Sequence, residues 1–326
     1  MTLAFTLCSV NYLAQAHTLG DSLKRHNPSF HFIIGLVDKL ATKDIDSTKL
    51  PDYPLLEVDK INIADFEGMC NRYDITELNT AVKPYYIDYF LKNNPEATNI
   101  IYFDPDIIIF DKLNHLEDNL EKYNIIVTPH ITTPYNDTQW QNEEDVVNTG
   151  IFNFGFVAMH RSETTQKMVD WWCQKLEKEC LIDLCNGLFV DQHWAEFFPV
   201  YFDKVLIEKH LGYNVAYWNL HERMLSSNDN HWVINNSTPL QFFHYSGYLI
   251  AKPDEVSKYQ NRISFEKRTD ITPLFDLYKN ELLKNNELYW KHFRCDYIKP
   301  PKIKRYLRVR KYLKMPLEKL AQLIEA

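Results

Sequence analysis

The chain has 326 residues, 45% of them apolar, and a formal net charge of −8. That length suits one large α/β domain or two smaller ones, the apolar content is ample for a core and excludes a disordered chain, and the acidic balance argues against a surface built for nucleic acid. The six cysteines (Cys8, Cys70, Cys173, Cys180, Cys185 and Cys295) contain no CxxC pair, so neither a zinc knuckle nor a disulfide framework is indicated, and a reducing compartment fits. The opening stretch MTLAFTLCSV has no basic n-region, and no apolar run reaches the roughly 18 residues of a membrane span. The expectation is a soluble cytoplasmic protein in which the sequons at Asn136, Asn235 and Asn236 have no role.

LAFTLCSV and FHFIIGLV read as strands, and between them Leu13, Ala16, Leu19 and Leu23 recur at helical spacing before a proline. This β-α-β unit predicts parallel pairing. Ile75, Leu78, Val82, Tyr85, Tyr86 and Tyr89 mark a helical face, which Pro84 kinks or divides. NIIVTP (124–129) and GIFNFGFVAM (150–159) read as further strands, and SETTQKMVDWWCQKL as a helix capped by Ser162. Residues 130–149 are polar and without pattern, as in a long loop that is either functional or disordered. The segment 299–314, KPPKIKRYLRVRKYLK, holds eight Lys and Arg and no acid, with apolar residues interleaved. Such a segment either lies on an anionic membrane surface or is a solvated basic tail.

The run IIYFDPDIIIF (100–110) places Asp104 and Asp106 inside one of the most apolar stretches of the chain. Carboxylates are seldom buried unpaired. At the carboxyl end of a strand in an open sheet, the two acids could hold Mg²⁺ or Mn²⁺ against substrate phosphates; otherwise DPD begins a turn.

From about Phe5 to about Asp254 the sequence resembles the nucleotide-sugar-dependent glycosyltransferases of GT-A fold, most closely glycosyltransferase family 8. The resemblance implies an α/β, Rossmann-like mixed sheet flanked by helices over residues 1–270, with a helical and basic extension over 271–326. It is carried by FTLCSVNYLAQAHTLGDSL, where Ser9, Asn11 and Tyr12 would contact uridine, and by NTAVKPYYIDYFL, where Lys83 stands for a donor-contacting base that is more often Arg in the family. NTGIFNFGFVAMH is similar to an F-N-x-G strand, with Asn153 facing the donor sugar and Gly155 allowing close approach. LFVDQHWAEFF is similar to D-Q-D-x-x-N, with Asp191 and Gln192 near the anomeric carbon and His193 replacing the second Asp. FFHYSGYLIAKPD is similar to H-F-x-G...K-P-W, with His244 a third metal ligand, Gly247 in the turn, Lys252 on the donor phosphate and Asp254 replacing Trp.

What the resemblance implies is transfer of a hexose from a nucleotide sugar, UDP-linked by the family's pattern, to a glycan or glycolipid with retention, using Mn²⁺ or Mg²⁺ on Asp104, Asp106 and His244. Tyr217 and Trp218 form either an acceptor platform or part of the core. Two rivals are a phosphatase of haloacid-dehalogenase type, since IIYFDPD also fits an hhhDxD motif, and a non-catalytic carbohydrate-binding scaffold.

Overall fold

All seven residues of strand β1 (Thr2–Cys8) are buried, as expected of a strand covered on both faces. In the computed structural model, which describes residues 1–228 and 231–298, β1 leads into helix α1 (Leu13–His26) and returns as β2 (His31–Leu36), parallel to β1 with Leu3 opposite His31. The basic segment 299–314 lies outside the described residues. β3 (Leu55–Glu57) extends the sheet, and α2 (Phe66–Arg72) precedes α3 (Ile75–Ala81) and α4 (Lys83–Asn93). Pro84 does divide the helix: it sits in the first turn of α4, where no backbone N–H is needed. A capping box of Asp74 and Glu77 starts α3.

The apolar run 99–110 is two strands, β4 (Asn99–Phe103) and β5 (Ile107–Ile109), separated by a turn at Asp104, Pro105 and Asp106. After α5 (Asn114–Leu120) and β6 (Ile125–Pro129), the stretch expected to lack structure ends in a helix, α6 (Glu143–Thr149). Asn142 and Asp145 form the capping box that starts it. β7 (Phe152–His160) then runs antiparallel to both β4 and β6, and α7 (Glu163–Leu176) is capped by Ser162, as expected. A small hairpin of β8 (Ile182–Asp183) and β9 (Leu188–Phe189) leads through α8 (Gln192–Ala195) and α9 (Phe198–Tyr201) to β10 (Val205–Ile207).

The main sheet has the order β10-β6-β7-β4-β1-β2-β3, parallel except for β7. It is therefore a mixed sheet. Because β7 is reversed, its first residues lie beside the carboxyl end of β4, with Phe103 opposite Phe156. A separate ribbon of β11 (Leu225–Asn228), β12 (His231–Ile234) and β13 (Thr238–Pro239) precedes β14 (Phe242–His244), which pairs antiparallel with β5.

Two apolar layers cover the sheet. One unites Phe5, Tyr86, Phe90, Phe154 and Trp172 between the sheet and α3, α4 and α7. The other joins Leu13, Leu19 and Phe103 to Leu274, Phe275, Tyr278 and Trp290 of α10 (Thr272–Lys284) and α11 (Glu287–Trp290). Residues beyond 270 thus bury side chains in the same core as α1. Among the described residues no helix is long and apolar enough to cross a membrane.

Candidate active site

Asp104 and Asp106 occupy the turn between β4 and β5, and the β5–β14 register sets His244 opposite Ile107. Tyr245 N–H donates to the Asp106 carbonyl at 2.9 Å, which locks this alignment. The ligand atoms of Asp104, Asp106 and His244 all lie within 4.8 Å of one another. His244 Nε2 is 3.1 Å from Asp106 Oδ1 and 3.7 Å from Asp104 Oδ2.

The opposite ring nitrogen explains why Nε2 is available. His244 Nδ1–H donates to Asn214 Oδ1 at 3.2 Å, and Asn214 in turn donates to Asn153 Oδ1 at 3.0 Å. A histidine whose Nδ1 proton is held in this way presents its Nε2 lone pair to a cation. Burial disfavours the imidazolium, yet Asp106 and then Asp104 outweigh it and raise the His244 pKa above its ordinary value. Burial likewise raises the Asp104 carboxyl, against the pull of Lys83 and His244. Tyr102 OH donates to Asp104 Oδ1 at 2.5 Å and fixes that carboxylate.

Gly155 faces this group across β4 and β7, accepting from Asp104 N–H at 2.7 Å. A Cβ there would stand 2.3 Å from His244 Cε1 and 2.7 Å from Asp104 Oδ2. Only glycine fits.

Asn153 and Gln192 form the floor. Gln192 accepts from Phe154 N–H at 3.1 Å and donates to the Thr149 carbonyl at 2.6 Å, tying α8 to α6 and β7. Asn153 donates to Nε2 of His130, whose Nδ1 donates to the Ile151 carbonyl. Burial lowers the His130 pKa to about 4, in keeping with a neutral ring that accepts on one side and donates on the other. Asp191, also buried, pairs with Lys83 Nζ at 2.6 Å. Lys83 donates as well to the Phe154 carbonyl at 2.7 Å, and its ammonium lies 4.3 Å from the centre of the Tyr102 ring. The ion pair thus sits under the site, linked to Asp104 through Tyr102.

Ser9, Asn11 and Tyr12 line a cleft that reaches Asp104 and Asp106, with Ser9 Oγ donating to Asn11 Oδ1 at 2.6 Å. Gly247 follows His244 with φ +74°, and a Cβ there would meet Ser257 Oγ at 2.5 Å. Lys252 stands apart: it is exposed and paired with Glu255 at 2.9 Å, on a surface depression away from the acids. Lys258 and Tyr259 line the cleft instead. Of the two readings of Trp218, the structure favours the core: it is 2% exposed and packs edge-on against His244 and His130. His130, Asn214, Lys258 and Tyr259 escaped the sequence reading. Each is a lone polar or aromatic residue with no local pattern to mark it.

Comparison with known proteins bears on the family and the fold. The chain is 24% identical over 287 residues to the uncharacterized protein YfnF of Bacillus subtilis (strain 168), covering 86% of this chain and 92% of that protein. It is 21% identical over 252 residues to YfnD of the same organism, covering 77% and 79%. The solved structure of the galactosyltransferase LgtC, in complex with donor and acceptor sugar analogs, superposes with a TM-score of 0.52 at 16% identity, covering 86% of this chain and 95% of that one. That likeness shows the GT-A fold. The profile of glycosyl transferase family 8 matches residues 4–253, nearly the range over which the motifs run. The match spans most of the chain, and the chain therefore belongs to glycosyl transferase family 8.

Proposed function

We propose that the protein, a glycosyltransferase by family, moves a hexose from a UDP-sugar to a glycan or glycolipid acceptor with retention, using Mn²⁺ or Mg²⁺. The observation that carries this reading is the convergence of Asp104, Asp106 and His244 around a glycine that leaves no space for a side chain. Two carboxylates and one imidazole nitrogen make a donor set that suits Mn²⁺ well. When bound, the cation supplies Lewis-acid stabilisation of the charge that develops on the departing diphosphate.

The chain's own residues do the rest. Ser9, Asn11 and the exposed ring of Tyr12 receive the nucleoside. Lys258, at the cleft, takes the phosphate-facing role expected of Lys252. Asn153 and Gly155 present the edge of β7 to the donor sugar, and Gly247 lets the chain turn closely past it. Gln192 holds that edge in place. Asp191 lends negative charge beneath the anomeric carbon, moderated by Lys83. Family membership selects this reading over the phosphatase and scaffold alternatives.

The absence of any CxxC pair among the six cysteines of the sequence supports a reducing, cytoplasmic setting. The composition of 299–314 supports contact with an anionic membrane surface, which sedimentation of the full chain with anionic liposomes tests. Incubating the purified protein with a panel of UDP-hexoses tests the main reading. Slow release of UDP from one of them, present with Mn²⁺ and absent with EDTA, is expected; no release from any nucleotide sugar would return the scaffold reading.

A further inference from the structure

Asn214 is fully buried and holds a left-handed conformation, with φ 49°. The next residue, Val215, bridges Phe243 of β14 and accepts from His244 N–H at 2.8 Å, which sets the Asn214 side chain beside the imidazole. Asn219 clamps the turn: its Nδ2 donates to the Asn214 carbonyl at 3.0 Å and to the His130 carbonyl at 3.1 Å, and its Oδ1 accepts from Ala216 N–H.

Two backbone groups decide which way the buried amides around it point. A backbone N–H can only donate, so the Asn153 atom 3.0 Å from Gly155 N and the Gln192 atom 3.1 Å from Phe154 N are both oxygens. Asn153 Nδ2 therefore faces Gln192 Oε1 at 3.4 Å and His130 Nε2 at 3.1 Å. The second lone pair of Asn153 Oδ1 takes a proton from Asn214 Nδ2 at 3.0 Å, which fills all four hydrogen-bonding positions of the Asn153 amide. The other proton of Asn214 Nδ2 meets Thr128 Oγ1 at 3.0 Å.

What is left to face His244 is Asn214 Oδ1, which only accepts. His244 Nδ1, 3.2 Å away, must carry a proton, and the neutral ring turns the lone pair of Nε2 toward Asp104 and Asp106. Flipping the Asn214 amide would press its oxygen against Asn153 Oδ1 and its N–H groups against His244 Nδ1–H, so the buried orientation is locked.

We propose that Asn214 is a positioning residue of the cation site: through an amide chain polarised by the Gly155 and Phe154 N–H groups, it holds His244 in the tautomer that a cation needs. This rests on the cation-binding reading above. Without the chain, the ring is free to carry its proton on Nε2 and must surrender it before a metal can bind.

Titration of the full-length protein with Mn²⁺ alone, followed by the electron paramagnetic resonance of the free ion, tests the proposal. Asn214→Gly removes the amide but keeps a residue at ease with positive φ, and its Mn²⁺ dissociation constant is expected to rise about ten- to a hundredfold. Thr128→Val breaks the other hydrogen bond of the same amide, equally buried, and leaves the chain to His244 intact; it should bind Mn²⁺ within about threefold of the wild type. A folded Asn214→Gly that binds Mn²⁺ as the wild type does overturns the proposal and leaves the cation site standing, as does a Thr128→Val that weakens Mn²⁺ equally. A second measurement needs no variant of Asn214: nitrogen-15 spectra of histidine-labelled, metal-free wild type at alkaline pH, with His244 assigned through His244→Gln, should show its proton on Nδ1. A proton on Nε2 overturns the proposal. Failure of the wild type to bind Mn²⁺ overturns it together with the cation site.

Discussion

Lys83 and Asp191 are each 3% exposed at the side chain and 2.6 Å apart, and the lysine also donates to a buried carbonyl. Removing one partner of such a pair strands a charge in a low-dielectric interior. Lys83→Ala is therefore expected to lower the unfolding free energy by about 3–5 kcal/mol, read from urea denaturation, and Lys83→Met combined with Asp191→Leu to cost less than the single change. Burial raises the Asp191 carboxyl, with Lys83 opposing, which agrees with a charge that depends on its partner. His130 makes a second test. Its pKa is lowered from 6.5 to about 4 by burial, so the unfolded chain takes up a proton below pH 6.5 that the folded protein refuses. The stability contributed by the neutral ring is whole above pH 6.5 and is lost as the pH falls toward 4. Between pH 6.5 and 4.5 the wild type should lose stability more steeply than His130→Gln, by up to about 1.4 kcal/mol per pH unit in denaturant titrations.

At the scale of elements, the site depends on pairings that join distant parts of the chain. β14 brings His244 to Asp106 across β5, and β7 brings Gly155 to Asp104. The strands themselves were legible, since runs such as NIIYF and FNFGFVAM are apolar without alternation. Their partners were not, because a three-residue strand such as β14 carries no register information of its own. The loop at 130–142 shows the same limit. It is held by Arg262, which donates to both carboxylate oxygens of Asp137 and lies 3.7 Å from the centre of the Tyr135 ring. Trp140 and Asn261 exchange hydrogen bonds beside it. Nothing local in the sequence of 130–142 announces this clasp. Arg262→Ala is expected to raise protease nicking within 132–142 several-fold while the melting temperature changes little; unchanged nicking would mean that the loop is held by other contacts.

Over the whole molecule, one sheet supports both halves of the site, and the last described helices complete it. Family motifs end near Asp254, so the expectation of an appended extension beyond 270 was natural. Yet Leu274, Phe275, Tyr278 and Trp290 pack into the same apolar layer as Leu13 and Leu19, and Glu287 and Lys291 line a cavity next to Asp106. The apolar spacing of α10 could have been read as a helix, but the surface it covers is set by tertiary packing, which single-chain periodicity does not carry. Lys83 illustrates the same limit in a motif: its place in the sequence suggested a donor-side role but carried no sign of its buried pairing with Asp191. The central claim is that Asp104, Asp106 and His244 hold a divalent cation through which a nucleoside diphosphate is bound. Calorimetric titration of the purified protein with UDP, in Mn²⁺ and in EDTA, tests it most directly when repeated on the Asp104→Ala, Asp106→Ala double variant. Binding that requires Mn²⁺ and disappears in a folded double variant is the predicted result; binding of equal strength in EDTA, or in the double variant, would contradict it.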